Sequence, residues 1–156
     1  ERLSQETLAI YRELKDEECE AIILNDLGGV TQKQGQYDRA EFYYKQALVI
    51  EEKRGGKAMQ VAYLGNLGNL ALERDHPTEA RLWYERGLAL AQEVGRQDLV
   101  AHAQSGLARV LEKEGHYTEA LPLALAALKI QERLRNKGLD FSRQLVERLR
   151  RKAGME

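Results

Sequence analysis

Residues 35–48 read GQYDRAEFYYKQAL, and the same types of residue recur at 75–88 (DHPTEARLWYERGL) and at 115–128 (GHYTEALPLALAAL). Each copy has alanine as its sixth residue and leucine as its last, and a leucine lies eight positions before each copy, at Leu27, Leu67 and Leu107. A fixed period of this length is typical of a solenoid, in which each unit buries its apolar face only against its neighbours. The pattern therefore favours a continuous binding surface over a single catalytic cleft.

Each unit predicts two helices. In the first, Leu24, Leu27 and Thr31 are spaced three and four residues apart and so share one helix face. Gly35 is expected to end that helix, and Pro77 is expected at the first position of a second helix, because its ring fixes a helical φ angle. Helices are predicted at about 2–15, 18–34, 37–53, 58–74, 77–94, 98–114, 117–135 and 139–152. The fold class is therefore all-α, with about eight helices and no strand.

The period also predicts how the chain is organised. We expect a single repeat domain over residues 1–156. It consists of an orphan second helix at 1–16, three repeats at 17–56, 57–96 and 97–136, and a capping helix at 137–156. Because Leu8 aligns with Leu48, the chain begins in the middle of a repeat, and we expect it to be a fragment of a larger protein.

Composition limits the class of protein. Of the 156 residues, 43% are hydrophobic and 31% are charged, which suits a well-packed soluble fold. No apolar run reaches the ~18 residues that predict a membrane span. Cys19 is the single cysteine, so no intramolecular disulfide is possible, and a reducing, cytoplasmic location is expected.

The two ends of the chain differ in charge. Residues 1–20 carry seven acidic and three basic residues, whereas residues 129–156 carry nine basic and four acidic ones. Such ends can pair between two molecules, giving self-association, or they can simply be solvated. Solvation is the simpler interpretation of the two.

At the repeated positions the chain resembles a tetratricopeptide repeat array. That family keeps a small residue after the leucine of the first helix, then an alanine, an aromatic residue and an Ala-Leu pair in the second helix. The corresponding residues here are Gly28, Gly68 and Ala108; Ala40, Ala80 and Ala120; Tyr44 and Tyr84; and Ala47-Leu48, Gly87-Leu88 and Ala127-Leu128. The forty-residue period exceeds the usual thirty-four. It is similar to the branch that includes kinesin light chains, Leu-Gly-Asn adaptors and the sensor repeats of bacterial signalling ATPases.

The resemblance implies a right-handed superhelix whose first helices line a concave groove for a peptide or a partner protein. It implies these candidate peptide-binding residues: Asn25, Asp26, Gln32, Lys33, Asn66, Asn69, Glu73, His102, Arg109 and Lys113. Asn66 and Asn69 either contact the ligand backbone through their amides or only cap turns and face water. If they contact ligand, their replacement by alanine is expected to leave thermal stability equal or higher.

Three glycines, Gly29, Gly65 and Gly106, are predicted to lie outside the seam between the two helices of a repeat. Each costs roughly 1 kcal/mol relative to alanine in a helix. They either leave room for a ligand to approach the backbone or are merely tolerated, for example where a helix bends.

The sequence contains no motif of an enzyme active site. No two histidines have the i, i+4 spacing of a metal site, and no phosphate loop or nucleophile elbow is present. The basic segment 143–152 lacks the interleaved aromatic residues of single-strand nucleic-acid binders, so a solvated helix is favoured over RNA binding. We therefore expect no enzyme, metal or cofactor. The predicted function is a protein-interaction module of a signalling or adaptor protein; the alternative is a structural spacer, an oligomerisation region or an autoinhibitory repeat.

Overall fold

The structure, a computed structural model, describes residues 2–135 and 138–155, with side chains from residue 6 onward. Within this part the chain is all-α and contains no strand, as predicted. The helices are α1 (Arg2–Leu14), α2 (Glu17–Lys33), α3 (Tyr37–Arg54), α4 (Lys57–Glu73), α5 (Pro77–Val94), α6 (Gln97–Lys113), α7 (Tyr117–Leu134) and α8 (Leu139–Ala153). The predicted junction between the third repeat and the capping helix, at residues 136 and 137, lies outside the described residues.

Local chemistry explains where the helices begin and end. The Asp16 carboxylate accepts a hydrogen bond from the Cys19 backbone N–H at 3.0 Å and so caps α2. Pro77 is the first residue of α5, as its ring geometry predicts. Gly35 follows α2 with φ 73°, and at the equivalent point of the next unit Asp75 has φ 60°. A left-handed conformation suits glycine and is tolerated by the short polar side chain of Asp75.

Neighbouring helices pack in chain order. Each helix contacts the next one along the chain, and in addition α4 contacts α6 and α6 contacts α8. The first helices of successive repeats therefore lie side by side. Apolar clusters are distributed along the whole length: one is centred on Leu24, Leu27 and Leu64, and another joins α6, α7 and α8.

Tyrosines from the second helices pack into gaps left by glycines. A Cβ atom built at Gly28 would lie 2.5 Å from the Tyr44 ring, and one at Gly68 would lie 2.7 Å from the Tyr84 ring. A Cβ atom at Gly106 would overlap the other edge of the same Tyr84 ring. Gly106 therefore packs between two repeats rather than in the seam within its own repeat, a role that neither sequence-based interpretation of this glycine included.

Candidate binding groove

The predicted residues of the first repeat lie on α2 and differ in exposure. Asp26 and Lys33 are exposed, whereas Asn25 and Gln32 are half-buried. Gln32 is already used within the protein, since its Oε1 atom accepts a hydrogen bond of 2.8 Å from the Tyr44 hydroxyl. We refer to the surface formed by these residues and by the predicted residues of α4 and α6 as the groove. The latter are Asn66, Asn69, Glu73, His102, Arg109 and Lys113.

The two asparagines on α4 form hydrogen bonds to neighbouring side chains. Asn66 Nδ2 donates to Asn25 Oδ1 at 2.7 Å, which joins α4 to α2. Asn69 Oδ1 accepts hydrogen bonds from the Tyr84 hydroxyl at 2.7 Å and from Arg109 Nη1 at 2.6 Å. These amides therefore connect repeats, a role that neither of the two sequence-based interpretations included. These hydrogen bonds oppose the expectation that alanine at both positions leaves stability equal or higher, because the buried Tyr84 hydroxyl would lose its acceptor.

An open recess lies where α4, α6, α7 and α8 meet. It consists of two adjoining cavities of about 480 and 280 Å³ that share His102, Gln131 and Gly138. Its lining residues are Ala62, Asn66, Asn69, Tyr84, Asp98, Leu99, His102, Ser105, Gly106, Arg109, Gln131, Gly138 and Phe141. Four predicted site residues (Asn66, Asn69, His102 and Arg109) thus meet in one place.

The other predicted residues lie outside this recess. Glu73 and Lys113 line a smaller hollow of about 190 Å³ beside Arg109 and Glu112. Lys113 pairs there with Asp75 at 2.6 Å. Asn25, Asp26, Gln32 and Lys33 of α2 line none of these hollows.

His102 contributes its exposed imidazole ring to the recess. A Cβ atom at Gly65 would lie 2.7 Å from His102 Cε1, so the absence of a side chain at Gly65 makes room for the imidazole. The protein atoms around the ring lower the pKa of His102, because they replace water that would solvate its charged form, and the positive charge of Arg109 adds to the effect. Neither sequence-based interpretation of Gly65, room for a ligand or mere tolerance, included this contact with His102.

The charge of the groove changes along its length. Asp26 and Glu73 form no ion pair within the described part of the chain. Burial raises the pKa of Tyr44 to about 12, and the negative charges of Glu73 and Asp26 act in the same direction. Arg109 is positive at the other end, and its guanidinium lies 5.9 Å from the centre of the Phe141 ring. The carboxylates of Asp26 and Glu73 thus lie on the first two repeats, together with the exposed Lys33, and the positive charge of Arg109 lies on the third.

Two of the lining residues that were not among the predicted site residues lie on α7 and α8. Gln131 on α7 is only 5% exposed, and its Oε1 atom has no hydrogen-bond partner within the described part of the chain. Phe141 on α8 is 44% exposed and forms part of the recess wall. The resemblance assigned the binding face to first helices, so it excluded α7 and α8. One signal was available, since the forty-residue register aligns Gln131 with Glu51, another polar residue in a second helix.

Two further observations concern the kinds of site that are present. No group of three or more His, Cys, Asp or Glu side chains in the described part could hold a metal ion. Among the helices of the same part, none combines the length and the apolar character required to cross a membrane.

Family comparison agrees with this architecture. A tetratricopeptide repeat model matches residues 1–53, 20–93 and 58–133, which together cover most of the chain. The chain belongs to the tetratricopeptide repeat family. This family is a protein-interaction scaffold, and the chain is therefore a protein–protein interaction module in general terms. None of the curated proteins compared matches its sequence significantly.

Solved structures show the same fold at low sequence identity. The apo form of RapI is 16% identical with a TM-score of 0.89, over 97% of this chain and 56% of RapI. BtubC (BKLC) from P. vanneervenii is 20% identical with a TM-score of 0.85, over 99% of this chain and 65% of BtubC. A putative kinesin light chain repeat protein from Podosopora anserina is 20% identical with a TM-score of 0.75, over 99% and 78%. The chain thus spans less than two thirds of the first two, and the likeness concerns the fold alone.

Proposed function

We propose that this module binds a peptide or an extended segment of a partner protein in the groove, as the sensor or adaptor part of a larger signalling protein. The observation that supports the proposal is the open recess, in which four predicted binding residues meet beside the apolar side chains of Leu99 and Phe141. Concave, largely apolar sites with a few placed polar groups are the usual form of a ligand pocket.

The hydrogen bonds of the groove favour binding by a rigid surface. Asn66 is fixed by Asn25, and Arg109 is fixed by Asn69. A surface that is already ordered loses little side-chain entropy when a ligand binds. We expect affinities of about 1 μM, which corresponds to about −8 kcal/mol.

The distribution of charge gives the ligand a direction. Asp26 and Glu73 lie toward the first two repeats, and Arg109 lies toward the third. Complementary charges across an interface favour one register and accelerate encounter. We therefore expect a basic residue of the ligand near Asp26 and Glu73.

The proposal is tested by selecting peptides from a randomised phage library on the purified chain and measuring the affinity of the selected peptides by calorimetry. Ala62→Arg places a long side chain in the recess and should weaken binding at least tenfold. Phe42→Arg is the matched control, because Phe42 on α3 is 59% exposed and lines no part of the recess. If Phe42→Arg abolished binding and Ala62→Arg did not, the binding surface would be the face of the second helices.

Self-association is a second candidate function, and exposed apolar residues favour it. On α1, Ile10 is 55% exposed and Leu14 is 67% exposed. Large apolar side chains that stay open to solvent on one helix are typical of contact surfaces. The opposite charges of residues 1–20 and 129–156 would bring such a surface to the other end of a second molecule.

A further inference from the structure

The buried amide of Gln131 lacks a partner that its counterpart in the first repeat possesses. Gln131 aligns with Glu51, which is 1% exposed and is hydrogen-bonded by Arg54. The position that corresponds to Arg54 is Leu134, which cannot donate. Gln131 Oε1 is therefore left without a donor among the described residues, and an unpaired buried polar atom is destabilising.

Among unpartnered buried polar atoms of the described chain, the Gln131 oxygen is the one that belongs to the recess. The hydroxyl of Tyr63 and the Oε1 atom of Gln104 also lack partners, but neither residue lines it. Gln131 lines both cavities. Because the terminal torsion of glutamine is broad and roughly two-fold, the amide can turn either its oxygen or its nitrogen toward the space.

The charged residues around the recess are already engaged. Asp98 accepts two hydrogen bonds from Arg96, at 2.8 and 2.6 Å. Arg109 donates to Asn69 and lies against Phe141. Partial desolvation and the positive charge of Arg109 lower the pKa of His102, which favours its uncharged form. The polar groups that remain next to Gln131 are uncharged, and Ala62, Leu99 and Phe141 supply apolar walls.

We propose that the recess binds the carboxamide side chain of an asparagine or glutamine in the ligand, which pairs with the amide of Gln131. This inference rests on the proposed peptide-binding function. A carboxamide both donates and accepts, as Gln131 does, so two amides satisfy each other. A carboxylate would bring no donor. A lysine would bury a charge beside Arg109 with no acidic partner that is free, which is unfavourable.

The experiment uses a randomised heptapeptide phage library and the full chain. The wild type should enrich peptides that carry asparagine or glutamine at one fixed position. Replacing that residue by alanine in a synthetic peptide should weaken binding to the wild type about tenfold. The same replacement should change binding to Gln131→Met less than twofold, because methionine has nearly the same shape but no amide. Gln131→Met should melt at or above the wild-type temperature, since it removes a buried unpaired oxygen.

A second variant keeps the test decisive if Gln131→Met folds poorly. Gln131→Glu should shift the enrichment at the same position from carboxamides to lysine or arginine. Selected peptides whose binding is weakened by Ala62→Arg, but which show no preference for asparagine or glutamine at any position, would overturn this inference. The proposed function would still stand. If no peptide were selected, or if Ala62→Arg had no effect on binding, the proposed function itself would fail. A melting temperature of Gln131→Met clearly below the wild type would show that the amide is satisfied internally, against the premise.

Discussion

At the scale of single residues, Tyr84 shows how one side chain joins two repeats. Its ring fills the space above Gly68 on α4 and Gly106 on α6, and its hydroxyl donates to Asn69. The sequence marked Gly68 and Tyr84 as positions of the family pattern, but it did not pair the two residues with each other. It did not predict the contact with Gly106, since spacing within a repeat carries no information about which helix lies beyond it.

Two glycine-to-alanine substitutions distinguish a glycine that packing requires from one that its helix merely tolerates. Gly106→Ala should lower the free energy of unfolding by about 1–3 kcal/mol, because the new methyl group overlaps the rigid, buried Tyr84 ring. Gly29→Ala is the matched control. Its Cβ atom would lie 3.7 Å from the Tyr44 hydroxyl, an ordinary contact, so better helix propensity should raise stability by up to about 1 kcal/mol. Urea unfolding of both variants checks this, and an equal gain in both would show that Tyr84 can move aside.

Asn69→Ala is expected to destabilise the protein although alanine is the better helix former. The change removes the acceptor of the Tyr84 hydroxyl and of Arg109, and Tyr84 is 1% exposed. A loss of about 1–3 kcal/mol is expected from the unpaired hydroxyl. In a double-mutant cycle, Tyr84→Phe should recover part of that loss because it removes the orphaned group. Additive effects of the two changes would show that the hydrogen bond contributes nothing to stability.

At the scale of helices, ion pairs between neighbouring repeats are numerous, but their burial differs. Glu112 on α6 is paired with Arg148 at 2.7 Å and with Lys152 at 2.8 Å, both on α8, and its side chain is 11% exposed. Lys57 and Glu93 also pair across helices, yet their side chains are 49% and 58% exposed. Exposed pairs contribute little, whereas partly desolvated networks contribute more. The sequence predicted α8 as a capping helix but not Glu112 as its anchor, because ion-pair partners depend on which helices are adjacent.

Glu112→Gln should therefore loosen α8 and cost about 1–2 kcal/mol, while Glu93→Gln should change stability by less than about 0.5 kcal/mol. The hydrogen bond from Arg148 lowers the pKa of Glu112, and that from Lys152 acts in the same direction. A carboxylate with a lowered pKa in the folded state stabilises the fold above its unfolded pKa, near 4.3, and loses that contribution as the pH falls through the folded value. Hydrogen exchange of residues 139–153 measures the loosening. Equal protection in both variants at pH 7 would contradict the anchoring role.

At the scale of the whole molecule, the repeated pattern made the helix architecture predictable. It did not predict which residues line the recess. Leu24, Leu64 and the tyrosines recur with a fixed period, and each position needs only its local neighbours to be assigned. The recess arises where α7 and α8 approach α4 and α6, so it depends on the stacking of separate units. Gln131 illustrates the difference: its burial follows from the period, but its missing partner follows from Leu134 and from the space around it.

The exposed apolar residues of α1 predict that two molecules of this protein associate. Ile10 and Leu14 present apolar surface on an end that is rich in acidic residues, and the other end is rich in basic ones. Light scattering should show a mass that rises with protein concentration and falls in high salt, because salt screens the opposite charges. Ile10→Ser with Leu14→Ser should abolish the rise. Phe42→Ser, which removes a comparably exposed residue from α3, should leave it intact. A wild-type protein that stays monomeric at every concentration would exclude self-association and leave ligand binding in the groove as the remaining proposed function.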